Sequence, residues 1–201
     1  MKIETKNIEF LIEALLIEIG EDPKRDGLID TPKRVAKYWK EFIEYEPGKI
    51  ETTFESVNAD QMVIVKGIKV WSLCEHHLMP FNSEISIGYI TSDKVLGLSK
   101  FARIAHKHAH KLQLQEKLVQ DIADEIQTLV GTEDVAVFGK GEHLCMVSRG
   151  IKTDGSMITS VMQGVFRDEP ETRMEFLNLI FYYYLHKHLL NHMTYNQLLH
   201  Q

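Results

Sequence analysis

"QMVIVKGIKVWSLCEHHLMPFNSEISIGYI", residues 61–90, decides the fold prediction, because it holds two strand-like patterns on either side of a short polar motif. Residues 61–73 and 84–90 are rich in β-branched residues and partly alternate apolar with polar positions, as strands do. The motif between them places Cys74 next to two consecutive histidines. We therefore predict two strands joined by a connection that carries a chemically active group.

The rest of the chain predicts helices around a second pair of strands. The first helix presents an apolar face and ends at Gly20; that face is formed by Ile8, Leu11, Leu15 and Ile19. Further helical patterns cover residues 30–45, 97–110, 115–131 and 171–193, and strand patterns cover 134–150 and 157–166. Strand pairs separated by a helical pair favour an α+β fold with an antiparallel sheet over a doubly wound fold.

Composition limits the class of protein. The chain has 201 residues, 44% of them apolar, and a net charge of -6, which is typical of a globular protein and argues against a general nucleic-acid binder. Three glutamates interrupt the N-terminal apolar stretch, and no apolar run is long enough to span a membrane. We expect a cytoplasmic protein with reduced cysteines. The predicted divisions are an N-terminal helical region (1–55), a catalytic domain (56–180) and a helical C-terminal tail (181–201).

Both cysteines of the chain lie next to histidines, which indicates a metal site. Cys74 and His77 are three positions apart, and Cys145 lies two positions after His143 on a predicted strand, where both side chains would face the same side. Zinc prefers thiolate and imidazole ligands, and a catalytic zinc keeps three protein ligands and a water. If Cys74, His77 and Cys145 bind zinc, His76 and His143 remain available for proton transfer. A structural zinc would take one of these two histidines as its fourth ligand, and spacing alone does not separate the two cases.

Other polar residues carry weaker signals. Two histidine pairs have helical i,i+4 spacing, His106 with His110 and His188 with His192, but solvated helix faces are the favoured interpretation. Several residues would suit a polyphosphate if the fold or an oligomer brought them together: Ser99, Lys100, Arg103, Arg149, Arg34 and Lys37. Glu116, after Gln115, is most simply a first-turn carboxylate favoured by the helix dipole.

Six motifs in a fixed order resemble the GTP cyclohydrolase I family. They are GLIDTPKRVAKYW, CEHHLMPF, GLSKFARIA, LQLQEKL, HLCMVSRG and FRDEPETRMEFL, between about residues 21 and 180. The resemblance implies a T-fold, an antiparallel four-stranded sheet with a helical pair between its hairpins. It also implies a homo-oligomer, a decamer of two pentamers whose sheets join into a barrel, with active sites between subunits.

The resemblance also implies roles for individual residues. Cys74, His77 and Cys145 would bind Zn²⁺, and His76, His143 and Ser99 would be catalytic. The triphosphate and ribose would be bound by Lys100, Arg103, Arg149, Arg34 and Lys37. Gln115 and Glu116 would read the guanine edge, which replaces the simpler interpretation of Glu116, because a carboxylate facing two guanine donors discriminates against adenine.

The implied reaction is the hydrolysis of GTP to 7,8-dihydroneopterin 3'-triphosphate and formate. A zinc-activated water would attack guanine C8, and an Amadori-type rearrangement and ring closure would follow. One alternative is a non-catalytic T-fold protein that binds a purine or pterin and keeps zinc for structure. Another is a different zinc hydrolase or deaminase, which would need a glutamate such as Glu75 beside the metal, although a strand would point that side chain away.

Overall fold

The computed structural model of the chain describes residues 2–57 and 59–181. The chain divides into two compact units, Met1–Pro47 and Gly48–Gln201. The tail predicted over residues 181–201 lies outside the described residues except for its first position. Within residues 2–57 and 59–181, no helix combines the length and hydropathy needed to cross a bilayer.

The first unit consists of two helices, α1 (Thr5–Glu18) and α2 (Thr31–Ile43). Pro32 occupies the first turn of α2, where its missing N–H costs no hydrogen bond. The helix predicted for α1 is confirmed, but its apolar face is not buried: Leu11 and Leu15 are more than half exposed, and Leu16 is the buried residue. The reason is that α2 can cover only one side of α1 within a two-helix unit.

The strands all belong to the second unit. In chain order they are β1 (Thr53–Glu55), β2 (Met62–Cys74), β3 (Pro80–Ile90), β4 (Lys94–Leu96), β5 (Leu112–Gln113), β6 (Val135–His143) and β7 (Met157–Met162). Strands β2, β3, β6 and β7 lie side by side in that order and are antiparallel, as predicted. Two features differ from the four-stranded prediction. The short β5 adds a fifth, parallel strand beside β2, and β1 with β4 forms a separate two-stranded sheet.

Two long helices lie between the strand pairs in the sequence, α3 (Leu98–Ala109) and α4 (Gln115–Val130). Their apolar sides pack on one face of the sheet, where residues such as Ile85, Ile104 and Ile122 are fully buried. Gly131 ends α4 in the left-handed conformation (φ 76°), as the sequence predicted for a glycine at this position. On the other face, a smaller apolar cluster includes side chains from the helix over residues 170–181.

The strand predictions for residues 134–150 and 157–166 were too long. β6 ends at His143, and the one-turn helix α5 (Leu144–Val147) follows it. β7 ends at Met162, and α6 (Val165–Asp168) begins after Gly164. The carboxylate of Asp134 accepts a 2.8 Å hydrogen bond from the Val165 N–H, which satisfies a backbone donor at the start of α6. Cys145 therefore lies on a helical turn and not on a strand.

Candidate active site

A tight turn at the end of β2 presents the two consecutive histidines. The Cys74 N–H donates to the Met79 carbonyl, and the Cys74 carbonyl accepts from the Leu78 N–H, each at 2.8 Å. Leu78 has a φ of 56°, in the left-handed region that side chains other than glycine rarely adopt. The turn leaves Cys74 buried and exposes His76 and His77.

The sheet brings the second cysteine to the same place. Phe81, at the start of β3, pairs with His143, the last residue of β6. The chain then turns into α5, so that the Cys145 Sγ lies 3.9 Å from the Cys74 Sγ. The prediction that one strand would aim His143 and Cys145 to the same side is wrong, because β6 ends before Cys145. The helical turn nevertheless carries the thiol to the cluster.

Cys74, His77 and Cys145 form one group with metal-binding geometry. Their ligand atoms all lie within 4.8 Å of one another, and the His77 Nδ1 is 4.0 Å from the Cys74 Sγ. Tetrahedral zinc would hold two sulfurs about 3.8 Å apart and a sulfur and a nitrogen about 3.6 Å apart, given the usual bond lengths. The sulfur–sulfur distance of 3.9 Å is close to the first value, and the sulfur–nitrogen distance of 4.0 Å is somewhat longer than the second. In the described part of the chain, this is the one such group of three or more residues.

The charges around the two thiols also suit a cation. Burial and the adjacent Cys74 thiol raise the pKa of Cys145. Both cysteines are free thiols. Two thiolates this close would repel each other, and a divalent cation between them would remove that repulsion. The guanidinium of Arg149 contacts the Nε2 of His77, and its positive charge partly opposes the rise in the Cys145 pKa and so favours the thiolate.

His143 lies beside the cluster but outside its ligand set. Its ring stacks on Phe81, with ring centroids 4.5 Å apart and planes 5° from parallel. Its Nε2 lies 3.0 Å from the side-chain oxygen of Gln115. Burial lowers the pKa of His143, and the Glu116 carboxylate opposes that shift. Glu116 therefore acts electrostatically on this histidine, which places this exposed carboxylate in the first turn of α4 next to the site.

The other histidines differ in their surroundings. His76 is exposed, and its ring centroid lies 6.2 Å from that of His77. Glu75 is exposed in the same turn and does not belong to the cysteine–histidine group. His106 and His110 lie with their ring centroids 5.9 Å apart on α3, but they do not form part of a three-residue metal group. His188 and His192 lie outside the described residues.

Three residues of the predicted anion site lie on the first turns of α3. Ser99 is exposed near its start, and the Lys100 ammonium donates to the Lys49 carbonyl at 2.8 Å. The guanidinium of Arg103 lies against Gly48, where any side chain would collide with it. Gly48 has a φ of 72°, and this left-handed conformation favours glycine at the position.

Arg34 and Lys37 lie on α2 of the first unit. Both are exposed and form i,i+4 ion pairs, Arg34 with Asp30 at 3.3 Å and Lys37 with Glu41 at 3.5 Å. Pairs of this kind contribute little to stability and are easily exchanged for another anion. The assignment of these two residues to phosphate binding stays a prediction.

Sequence reasoning missed two features of the site. The amide of Gln115 is buried and bonded within the chain, whereas it was expected to face a guanine. A cavity of about 350 Å³ opens beside the cluster, and its lining is His143, Cys145, Met146, Gly155, Ser156 and Met157. The methionines gave no chemical signal in the sequence, because only the pairing of β6 with β7 brings residues 155–157 next to His143.

Comparisons with known proteins agree with this arrangement. The family model for GTP cyclohydrolase I matches residues 8–181. GTP cyclohydrolase 1 1 of Pseudomonas syringae pv. tomato is 48% identical over 83% of this chain and 91% of its own length. The GTP cyclohydrolase 1 proteins of Methylococcus capsulatus and a Sulfurihydrogenibium species are 46% and 45% identical, over 86% and 90% of this chain and 96% and 97% of their own lengths.

A solved structure of the archaeosine synthase QueF-Like in the apo form is a much weaker match. It covers 51% of this chain and 95% of its own, with 20% identity and a TM-score of 0.39, which supports no conclusion about this chain. The family model instead spans both units and every residue of the metal group. This chain therefore belongs to the GTP cyclohydrolase I family.

Proposed function

We propose that this protein is a GTP cyclohydrolase I, a hydrolase that converts GTP to 7,8-dihydroneopterin 3'-triphosphate and formate. The observation that carries the proposal is the group of Cys74, His77 and Cys145 with His143 beside it and outside the ligand set. A site that only held a structural zinc would have no need of a further imidazole directed elsewhere. The named activity of the relatives supports the same assignment.

Cys74, His77 and Cys145 would hold a single zinc ion. Zinc with three protein ligands supplies a Lewis acid and an activated water at neutral pH. The protein's own contribution is to bring together two thiols and one imidazole from the end of β2, the turn that follows it and the helical turn α5. Both cysteines must stay reduced to do so, which supports a location in the cytoplasm.

His76 and His143 are the proposed proton carriers. Burial lowers the pKa of His143, so its neutral form, which can accept a proton, dominates at neutral pH. His76 is exposed next to a zinc ligand and can exchange protons with solvent and substrate. Ser99, at the start of α3, is proposed to assist proton transfer at the ribose.

Substrate recognition is assigned to one carboxylate and a set of positive side chains. Glu116 accepts hydrogen bonds from the guanine N–H groups, and the Glu116 carboxylate is near enough to His143 to affect its pKa. Positive side chains neutralise the triphosphate, and the proposed set is Lys100, Arg103, Arg149, Arg34 and Lys37. The family resemblance also implies a place for Gln115 at the guanine edge, but its amide is already bonded within the chain.

The proposed assembly is a T-fold homo-oligomer, a decamer of two pentamers in which the sheets of neighbouring subunits form a barrel. Strand β7 is hydrogen-bonded to β6 on one side and ends the sheet order on the other. Edge strands of this kind present backbone donors and acceptors that a strand of a second copy can pair with. Native mass spectrometry tests the proposal directly, and a monomer at assay concentration would contradict it.

The decisive experiment separates catalysis from binding. Zinc-loaded protein is incubated with GTP, and formate release and the fluorescence of the oxidised pterin are followed in parallel. We expect both products in equal amounts. The alternative, a non-catalytic purine- or pterin-binding T-fold protein, predicts bound GTP that is recovered intact, and that result would refute the proposed activity.

A further inference from the structure

The side chain of Gln115 is a fully buried amide whose polar atoms are all bonded inside the protein. Its nitrogen donates towards the Gly139 and Met157 carbonyls at 3.2 and 3.1 Å and towards the Thr159 hydroxyl at 3.0 Å. Its oxygen lies 3.0 Å from the Nε2 of His143. Gln115 thus links the start of α4 to β6, to β7 and to the candidate proton carrier.

The orientation of this amide follows from its partners. Backbone carbonyls can only accept hydrogen bonds, so the NH₂ end of Gln115 must face Gly139 and Met157. The oxygen must then face His143, and an amide oxygen can only accept. For the contact to be a hydrogen bond, the Nε2 of His143 must carry the proton. In neutral imidazole, the lone pair is then on Nδ1.

Two further residues fix the ring in this position. Phe81 stacks on His143 with the planes 5° from parallel, which holds the plane of the imidazole. Gly141 makes room for the amide, because a Cβ at that position would collide with the Gln115 oxygen. The ring plane and its in-plane direction are thus set by separate contacts, one apolar and one hydrogen-bonded.

We infer that Gln115 is a positioning residue that holds His143 as the Nε2–H tautomer, with Nδ1 as the ring atom that exchanges protons at the site. Because both ends of this buried amide are hydrogen-bonded within the chain, no donor or acceptor remains for a guanine. Gln115 therefore orients the imidazole of His143 and does not read the base. The inference rests on the proposed function only in assigning proton transfer to His143; the tautomer itself follows from the hydrogen bonds of the chain.

The direct test is the protonation site of His143 in zinc-loaded protein without GTP. Nitrogen-15 NMR of histidine-labelled protein distinguishes a proton on Nε2 from one on Nδ1, and the signals are assigned by their loss in His143→Gln. We expect the proton on Nε2. A wild-type protein with the proton on Nδ1 would overturn the inference without the need for any further variant.

Variants then test whether the tautomer matters for turnover. Gln115→Met keeps the volume and removes the hydrogen bond; we expect a mixed tautomer and a kcat reduced by about 10- to 100-fold, the usual range for lost orienting partners. Zinc content and the KM for GTP should stay within about twofold, because an orienting contact acts on the chemical step. A raised KM with an unchanged tautomer would instead make Gln115 a substrate contact and refute the inference.

Gln113→Met is the matched control. Gln113 is equally buried and two residues away, but its amide donates to the Ser72 hydroxyl and to the His108 carbonyl. It should leave the His143 tautomer unchanged. If Gln115→Met does not fold, Gln115→Asn keeps an amide but shortens the side chain by one methylene, so its oxygen no longer reaches the Nε2 of His143, and it should give the same mixed tautomer. Wild-type protein that fails to convert GTP would refute the proposed function, whereas the tautomer measurement needs no substrate and would still decide this inference.

Discussion

The sulfur atoms of Cys74 and Cys145 lie 3.9 Å apart, although the two residues are 71 positions apart in the chain. The pairing of β2 with β3 and of β3 with β6 produces this approach, because both cysteines lie at the same end of the sheet. Removing either thiol leaves two ligands, which is too few for tight zinc binding. We expect Cys145→Ser to lose most of its zinc, as measured by elemental mass spectrometry on dialysed protein.

His143→Ala provides the contrast to that variant. His143 contacts Phe81 and Gln115 and is not a member of the ligand group. The variant should therefore keep about one zinc per chain, as a three-ligand site implies. It should lose formate release, because the proposed proton carrier is gone. Loss of zinc from His143→Ala would show that this histidine is a fourth ligand. That outcome would favour a structural site and count against the catalytic assignment.

Much of the fold could be predicted because its pattern is local. The alternation in β2 and β3, the apolar periodicity of α4 and the terminal Gly131 each reflect interactions within one element. The register of β3 against β6 and the parallel pairing of β5 are not local, because they depend on distant segments that meet only in the folded sheet. The turn into α5 was missed because residues 134–147 contain no proline or asparagine that would mark the end of the strand at His143.

In the site, too, the features set by local sequence could be predicted and those set by distant segments could not. The metal group was predicted correctly as a set, because cysteine and histidine at short spacing have few structural alternatives. The role of Gln115 could not be predicted, since a glutamine at a helix start is equally suited to capping, solvent or a ligand. Only its contacts with β6 and β7 show that the amide is buried and points at His143.

Glu116→Gln should weaken the recognition of guanine. The neutral amide can replace only one acceptor interaction and presents a donor to the other guanine N–H. Hydrogen bonds to a charged group contribute about 1.5–3 kcal/mol, so we expect kcat/KM for GTP to fall by about 10- to 150-fold. Inosine triphosphate lacks the 2-amino group, so its kcat/KM should fall less, and steady-state assays with both nucleotides measure the difference.

Glu142→Gln is the control for that change. Glu142 precedes His143 on β6, so its side chain points to the opposite side of the sheet, and it is exposed. The control should leave the ratio of kcat/KM for the two nucleotides unchanged. An equal loss for GTP and inosine triphosphate in Glu116→Gln would show that this carboxylate does not read the guanine edge.

The half-buried imidazole of His106 should make the fold sensitive to acid. Burial lowers its pKa in the folded protein, and the neighbouring His110 lowers it further. The contribution of this group to stability is therefore present above the ordinary histidine pKa and is lost as the pH falls below it, because the unfolded chain takes up the proton more readily. Urea unfolding should show a smaller loss of stability between about pH 7.5 and about pH 5.5 in His106→Gln than in wild type.

Release of zinc at low pH lowers stability as well, but it affects both proteins equally and cancels in this comparison. An identical loss of stability in His106→Gln and wild type would rule out His106 as a source of the acid sensitivity.

Gly88→Ala should destabilise the sheet through one contact. A Cβ at Gly88 would lie 2.8 Å from two carbons of the Phe176 ring, which is fully buried against Phe166. Overpacking of this kind costs about 1–3 kcal/mol. For a chain of this length, each kcal/mol lowers Tm by about 2–4 °C, and calorimetry would measure the shift.

Phe176→Leu tests whether the ring is the cause. The branched aliphatic side chain removes the two ring carbons that the new methyl group would meet, at the cost of its own cavity. In the Phe176→Leu background, adding Gly88→Ala should therefore lower Tm by clearly less than it does in wild type, which a double-mutant cycle quantifies. Equal losses in both backgrounds would mean that the strand conformation at Gly88, and not Phe176, excludes a side chain there.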